Sequence, residues 1–128
     1  MLQAVIKSTQ QITVTEKDSA AKVGSGLLDV FATPSMIALM ESTSWKAVAP
    51  YLEEGQGTVG TLLNIEHVAA TPIGMTVTCE SELVEVDGRR LVFSVTASDE
   101  VGVIGKGRHE RFIVDNAKFQ AKANNKGK

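Results

Sequence analysis

One stretch limits the possible folds more than any other. Residues 30–52, VFATPSMIALMESTSWKAVAPYL, form the single long helical pattern in the chain. Thr33 followed by Pro34 predicts a start: a hydroxyl at the N-cap, then proline at the first helical position, where its missing N–H costs nothing. Ile37, Met40, Ser44, Val48 and Tyr51 recur at spacings of three and four. Leu39 and Ala47 fall off that stripe, so the helix is apolar or small on most sides, as expected of a helix surrounded by other structure. Pro50 is expected to end it near Ala49. Glu41 then projects within roughly 50° of the stripe's centre. A carboxylate there is paired, protonated or catalytic.

The segments around that helix read as strands. Residues 11–18 alternate, with Ile12 and Val14 on one face, and predict a half-buried strand; residues 1–10 carry little signal. Residues 19–29 read as a loop with at most a helical turn, placed to cover the helix N-terminus. After EEGQG come four alternating runs at 58–71, 75–86, 90–99 and 103–114, with a hairpin signal at Asp87-Gly88. Short connections force antiparallel neighbours. The expected architecture is therefore α+β, an antiparallel sheet curled round one helix. Residues 118–128, with four lysines, read as a frayed tail, disordered from about 123. Leu62, Val68, Val84 and Val92 are expected on the sheet's other face. They are too apolar for solvent and predict a homodimer.

Composition narrows the function. The 128 residues suit one domain, and the net charge of −2 gives no electrostatic case for nucleic acid. No run approaches the ~20 apolar residues of a membrane span, and no secretory signal opens the chain. The single cysteine, Cys79, shares a face with Val77 and Leu83. It is expected to be buried and inert, and suits the cytoplasm. Gly102, Gly105 and Gly107 precede no helix, which argues against a phosphate loop. Two histidines and one cysteine on separate strands make a poor metal site, so no metal is expected.

Three residues remain as catalytic candidates. On the strand 58–71, Val59, Thr61, Leu63, Ile65 and His67 are expected to share the face toward the helix, aiming His67 at the element that carries Glu41. Glu41 reads either as a satisfied carboxylate near the sheet rim or as a base or nucleophile. Thr33, beside the helix N-terminus, can serve both as cap and as neighbour of an oxyanion. Alternation places His109 and Arg111 on one face, and Arg108 and Glu110 on the other. That strand end reads as solvated, or as a cation site for phosphate or carboxylate.

The segments VFATPSMIALME, APYLEEGQGTVGT, IEHVAATPIGMTV, VDGRRL and GKGRHER, in that order from Val30 to Lys122, resemble the fluoroacetyl-CoA thioesterase family of hotdog hydrolases. The resemblance implies a hotdog fold, hydrolysis of an acyl-CoA thioester, and no cofactor beyond the coenzyme A of the substrate. It implies Thr33, Glu41 and His67 as the catalytic group, Gly60 near the acyl carbonyl, and Arg111 near the cofactor end of the substrate. The family's fluoroacetate-specific enzyme has an aromatic-rich lid before the VFAT stretch. This chain has AAKVGSGLLD there, so a small or short-chain acyl group is expected. A hotdog hydratase or dehydratase and a non-catalytic acyl-CoA binding module are the alternatives.

Overall fold

The computed structural model describes residues 2–128. The chain runs β1 (Ile6–Thr13), a 3-10 turn (Glu16–Asp18), α1 (Ala20–Val23), α2 (Thr33–Val48), a second 3-10 turn (Ala49–Tyr51), β2 (Gln56–His67), β3 (Thr76–Asp87), β4 (Arg90–Ser98), β5 (Val103–Asp115) and α3 (Asn116–Asn124). The five strands make one sheet in the order β1-β3-β4-β5-β2, and every neighbouring pair is antiparallel. Helix α2 packs against all five strands. This is the curled α+β arrangement that the helix and the four alternating runs demand. Gly88, at φ +62°, makes the two-residue turn between β3 and β4. The core lies between helix and sheet: Met36, Met40 and Val48 face Val77, Leu83, Leu91, Phe93 and Val95. Burying each such side chain is worth about 1.5–3 kcal/mol.

The helix differs from expectation at its start and in its rotation. Ala32 is the N-cap, with no side-chain cap, and Thr33 is already helical. The entry is set by backbone bonds instead: Phe31 N–H donates to the Thr71 carbonyl at 2.8 Å, and Ala32 N–H donates to that of Asp18 at 2.9 Å. The Thr33 hydroxyl is thereby released from capping. The buried residues of α2 are Met36, Leu39, Met40, Thr43, Ser44, Ala47 and Val48, whereas Tyr51 is exposed. Helical geometry puts Glu41 roughly 120° from the centre of that set, at its margin, with its side chain 39% exposed. The stripe is rotated because the interior accepts small hydroxyls. Thr43 Oγ1 lies 2.7 Å from both the Leu39 carbonyl, to which it can donate, and the Gln10 side-chain amide, and Ser44 Oγ donates to the Met40 carbonyl at 2.8 Å. A satisfied hydroxyl can be buried at little cost.

Three strand expectations are corrected. β1 begins at Ile6 and ends at Thr13, five residues earlier at each end than the alternation at 11–18 suggests. Its inward positions include Ser8 and Gln10, which hide the period. β2 ends at His67 rather than at 71, and a register shift between Gly60 and Leu62 breaks its alternation. Gly60 stands opposite Arg111, while Leu63 stands opposite His109 and His67 opposite Gly105. Directly opposed residues share a face, so even-numbered positions face the helix before the bulge and odd-numbered ones after it. Val59 therefore leaves the face assigned to it, and Gly60 joins. On the outer side of the sheet, Leu62, Val68 and Val84 are exposed as expected, but Val92 is only 3% exposed. Most of the stretch read as a frayed tail is helical: α3 runs to Asn124, and its N-cap Asp115 accepts from the Lys118 N–H at 3.1 Å.

Candidate functional site

The candidate residues gather at two places along α2. The first is its N-terminus. Thr33 Oγ1 lies 2.7 Å from His67 Nδ1. His67 does reach the long helix, but it meets Thr33 there and not Glu41. Burial pushes the His67 imidazole below its ordinary value of 6.5, with the nearby Ala69 carbonyl opposing. A neutral ring accepts at one nitrogen, so the Thr33 hydroxyl can donate to Nδ1 while Nε2 carries the ring proton. That Nε2 is buried and has no hydrogen-bond partner among the described residues. First-turn N–H groups have no acceptor within a helix. Pro34 has none to offer, and Met36 N–H already bonds the Ala32 carbonyl at 2.9 Å. The N–H groups of Thr33 and Ser35 thus lie beside the Thr33 hydroxyl at the positive end of the helix dipole. A cavity of about 310 Å³ opens here, lined by Phe31, Thr33, His67, Val68 and the preceding segment through Ala20 and Ser25. The loop read at 19–29, including α1, does form a wall at the helix start.

The second place is two turns along. Glu41 Oε2 lies 3.4 Å from Nη1 of Arg111. Arg111 also donates from Nε to Thr58 Oγ1 at 2.7 Å, from Nη2 to the Thr58 carbonyl at 2.9 Å, and from Nη1 to His109 Nε2 at 3.1 Å. Its side chain is only 7% exposed. Burial lowers its pKa below the ordinary arginine value, and the Glu41 carboxylate works against that shift. Gly60 forms part of the same wall. A Cβ on it would stand 2.7 Å from Glu41 Oε2 and 3.3 Å from His109 Cε1. The bulge brings this about, since it turns Gly60 toward the helix.

His109 is the residue whose surroundings the sequence conceals most. It shares a face with Arg111, as alternation predicts, but it is fully buried and not solvated. Its ring stacks on Phe93 at 6.2 Å between centroids, and Nδ1 lies 2.9 Å from the Leu62 carbonyl. Burial lowers its pKa most; the Leu62 bond raises it and the Arg111 charge lowers it further. Thr58, which holds Arg111 twice, carries no signal in the sequence beyond its position in an alternating run.

Thr33 and Glu41 are eight residues apart, roughly 12 Å along a helix axis at its standard rise. One chain therefore pairs Thr33 with His67, and Glu41 with Arg111, Gly60 and His109. It does not draw all three catalytic candidates to one point.

Comparison with known proteins agrees with this framework. The model of the fluoroacetyl-CoA-specific thioesterase family matches residues 14–117. The chain belongs to that family. The fluoroacetyl-CoA thioesterase of Streptantibioticus cattleyicolor is 50% identical over 98 residues, 77% of this chain and 70% of that protein. A solved structure of the fluoroacetyl-CoA thioesterase FlK superposes with a TM-score of 0.95 at 38% identity, covering 100% of this chain and 99% of that one. A hot-dog-like protein from Thermanaerovibrio acidaminovorans shares the fold, with a TM-score of 0.89 at 20% identity over 99% of this chain and 94% of that one. The curved sheet around α2 is a hotdog fold, as the sequence motifs implied.

Proposed function

We propose that this protein hydrolyses a small or short-chain acyl-CoA thioester to the free acid and coenzyme A, with Thr33, Glu41 and His67 as its catalytic group. The observation that carries this reading is the Thr33–His67 hydrogen bond opening on a cavity at a helix N-terminus, in a chain of this family. Hydrolysis needs a nucleophile or an activated water, a proton carrier, and donors for the oxyanion. Glu41 activates the attacking water, or Glu41 or Thr33 attacks first. His67 carries a proton to the leaving thiolate. The N–H groups at the start of α2 receive the oxyanion. Gly60 leaves room beside the carboxylate, and Arg111 contacts the substrate toward its coenzyme A end. No other cofactor enters the reaction. The unaromatic segment before Val30 supports a small or short acyl group rather than a strictly fluorinated one.

The working unit in this reading is a homodimer paired along β2. That strand is a sheet edge with Leu62 and Leu63 exposed, and an unpaired edge is a template for another strand. Antiparallel pairing about a two-fold axis near Leu63 and Asn64 sets Gly60 of one copy opposite His67 of the other. The partner's carboxylate, which sits beside its own glycine, then approaches the Thr33–His67 pair. The cytoplasm is the compartment we assign, supported by the free, buried Cys79.

Thiol release from acetyl-, propionyl- and butyryl-CoA tests the reaction, with crotonyl-CoA absorbance as the control for hydration. Turnover with release of thiol is expected. Glu41→Gln should keep the fold and lower kcat by roughly 10²–10⁴-fold. Tight binding without thiol release, or Glu41→Gln at wild-type rate, would overturn the assignment.

A further inference from the structure

We propose that His109 is a positioning residue for the reaction: it orients Arg111, and through Arg111 it fixes the Glu41 carboxylate. The inference rests on the hydrolytic reading of Glu41 above.

The hydrogens of the guanidinium fix its partners. A guanidinium has five N–H donors and no acceptor. Nε and Nη2 of Arg111 are spent on Thr58. Nη1 has two hydrogens, and its two partners are His109 Nε2 at 3.1 Å and Glu41 Oε2 at 3.4 Å. Because an arginine can only donate, His109 Nε2 must accept and carries no proton. The ring proton then sits on Nδ1, which donates to the Leu62 carbonyl at 2.9 Å. Every polar atom of the imidazole is committed, and only one tautomer satisfies both bonds. The ring cannot turn away, because it is fully buried and stacked on Phe93. One hydrogen of Nη1 is thus pinned on a rigid acceptor, and the planar guanidinium directs the other at Glu41. The Leu62 carbonyl that anchors the ring adjoins the β2 bulge, the same irregularity that turns Gly60 toward Glu41. One backbone feature therefore sets both the space for the carboxylate and the donor that holds it.

An anchored carboxylate matters for rate more than for binding, since misplacing a reacting group by about 1 Å can cost about 10²-fold. His109→Phe keeps the ring volume and removes the acceptor. His109→Gln can return a carbonyl oxygen to Arg111. Thiol-release kinetics on the full chain should show kcat about 10–100-fold lower for the Phe variant with KM within about twofold, and most of the loss recovered by Gln. Placed on the Glu41→Gln background, His109→Phe should cost nothing further, because the group it positions is gone. A wild-type kcat in His109→Phe, no recovery by Gln, or a full additional loss on the Glu41→Gln background would each overturn the proposal. Should the Phe variant not fold, ring nitrogen chemical shifts of the wild-type protein at neutral pH decide the matter. A neutral His109 protonated at Nδ1 is expected, and a proton on Nε2 would overturn the proposal. A wild-type rate in Glu41→Gln is a separate result, which removes the hydrolytic role of Glu41 itself.

Discussion

Thr33 Oγ1 and His67 Nδ1 stand 2.7 Å apart, joining the first turn of α2 to the last residue of β2. The contact exists because Thr33 is not the cap. An N-cap hydroxyl would be turned to the backbone N–H groups of its own helix, whereas one residue later it faces the sheet. Thr33→Ala should lower kcat by about 10²-fold or more, and Thr33→Ser should keep most of the rate. Steady-state thiol release separates the two, and an unimpaired Thr33→Ala variant would remove the hydroxyl from the mechanism.

Gly60 offers a test that leaves the fold alone. The added methyl of Gly60→Ala would meet the far end of the Glu41 side chain, which can swing away, and would press on His109 Cε1 at 3.3 Å, which need give only a few tenths of an ångström. The expected result is an unchanged melting temperature within about 2 °C and kcat reduced about 10²-fold as the carboxylate is displaced. Loss of stability without loss of rate in the folded fraction would contradict this account of the glycine.

The β2 edge makes a prediction about assembly. Leu63, 46% exposed in the single chain, lies near the centre of the proposed strand pairing. Leu63→Lys places like charges across the two-fold axis and should convert the dimer to monomer by light scattering, with activity lost in step. A wild-type protein that is monomeric and active at micromolar concentration would refute the composite site.

Stability should depend on pH through the two histidines. Burial depresses the folded-state pKa of both His67 and His109 below the ordinary 6.5. Well above 6.5 both are neutral whether folded or unfolded, and pH has no effect through them. As pH falls below 6.5 the unfolded chain takes up protons that the folded chain refuses, so stability declines until the folded-state values are reached. Melting temperature measured from pH 8 to 5 should be flat at first and then fall. His109→Gln should shallow the fall, and an identical profile in that variant would show that His109 does not contribute.

What could be read in advance follows from where side-chain chemistry repeats with the backbone. The helix, the four later strands and the shared face of His109 and Arg111 follow from periodicity, and the turn at Asp87-Gly88 from its turn residues. β1 escaped because its inward face includes Ser8 and Gln10, so burial there does not look apolar. The burial of His109 was hidden by its neighbours: Arg108 and Glu110 point to the other face, where Glu110 pairs with Arg90 at 2.9 Å, and they make the whole segment look solvated. The N-cap is not legible in the sequence because the backbone contacts that fix Phe31 and Ala32 come from Thr71 and Asp18, which lie far from them in sequence. Thr33, Glu41 and His67 were each recognisable as unusual. Their division between two places on α2 was not, since it depends on distance along a helix and on a strand irregularity.

The irregularity at Thr61 has a consequence for which changes this strand can absorb. Seven steps would set Gly60 and His67 on opposite faces of a regular strand, and the extra residue at the bulge brings both to the helix side. Deleting Thr61 would leave six steps and a regular ladder, with Gly60 still opposite Arg111 and His67 still opposite Gly105. A regular pairing that kept all seven steps would instead turn either the glycine or the histidine outward. The strand works as a ruler with a fixed phase, and seven steps separate its two functional marks.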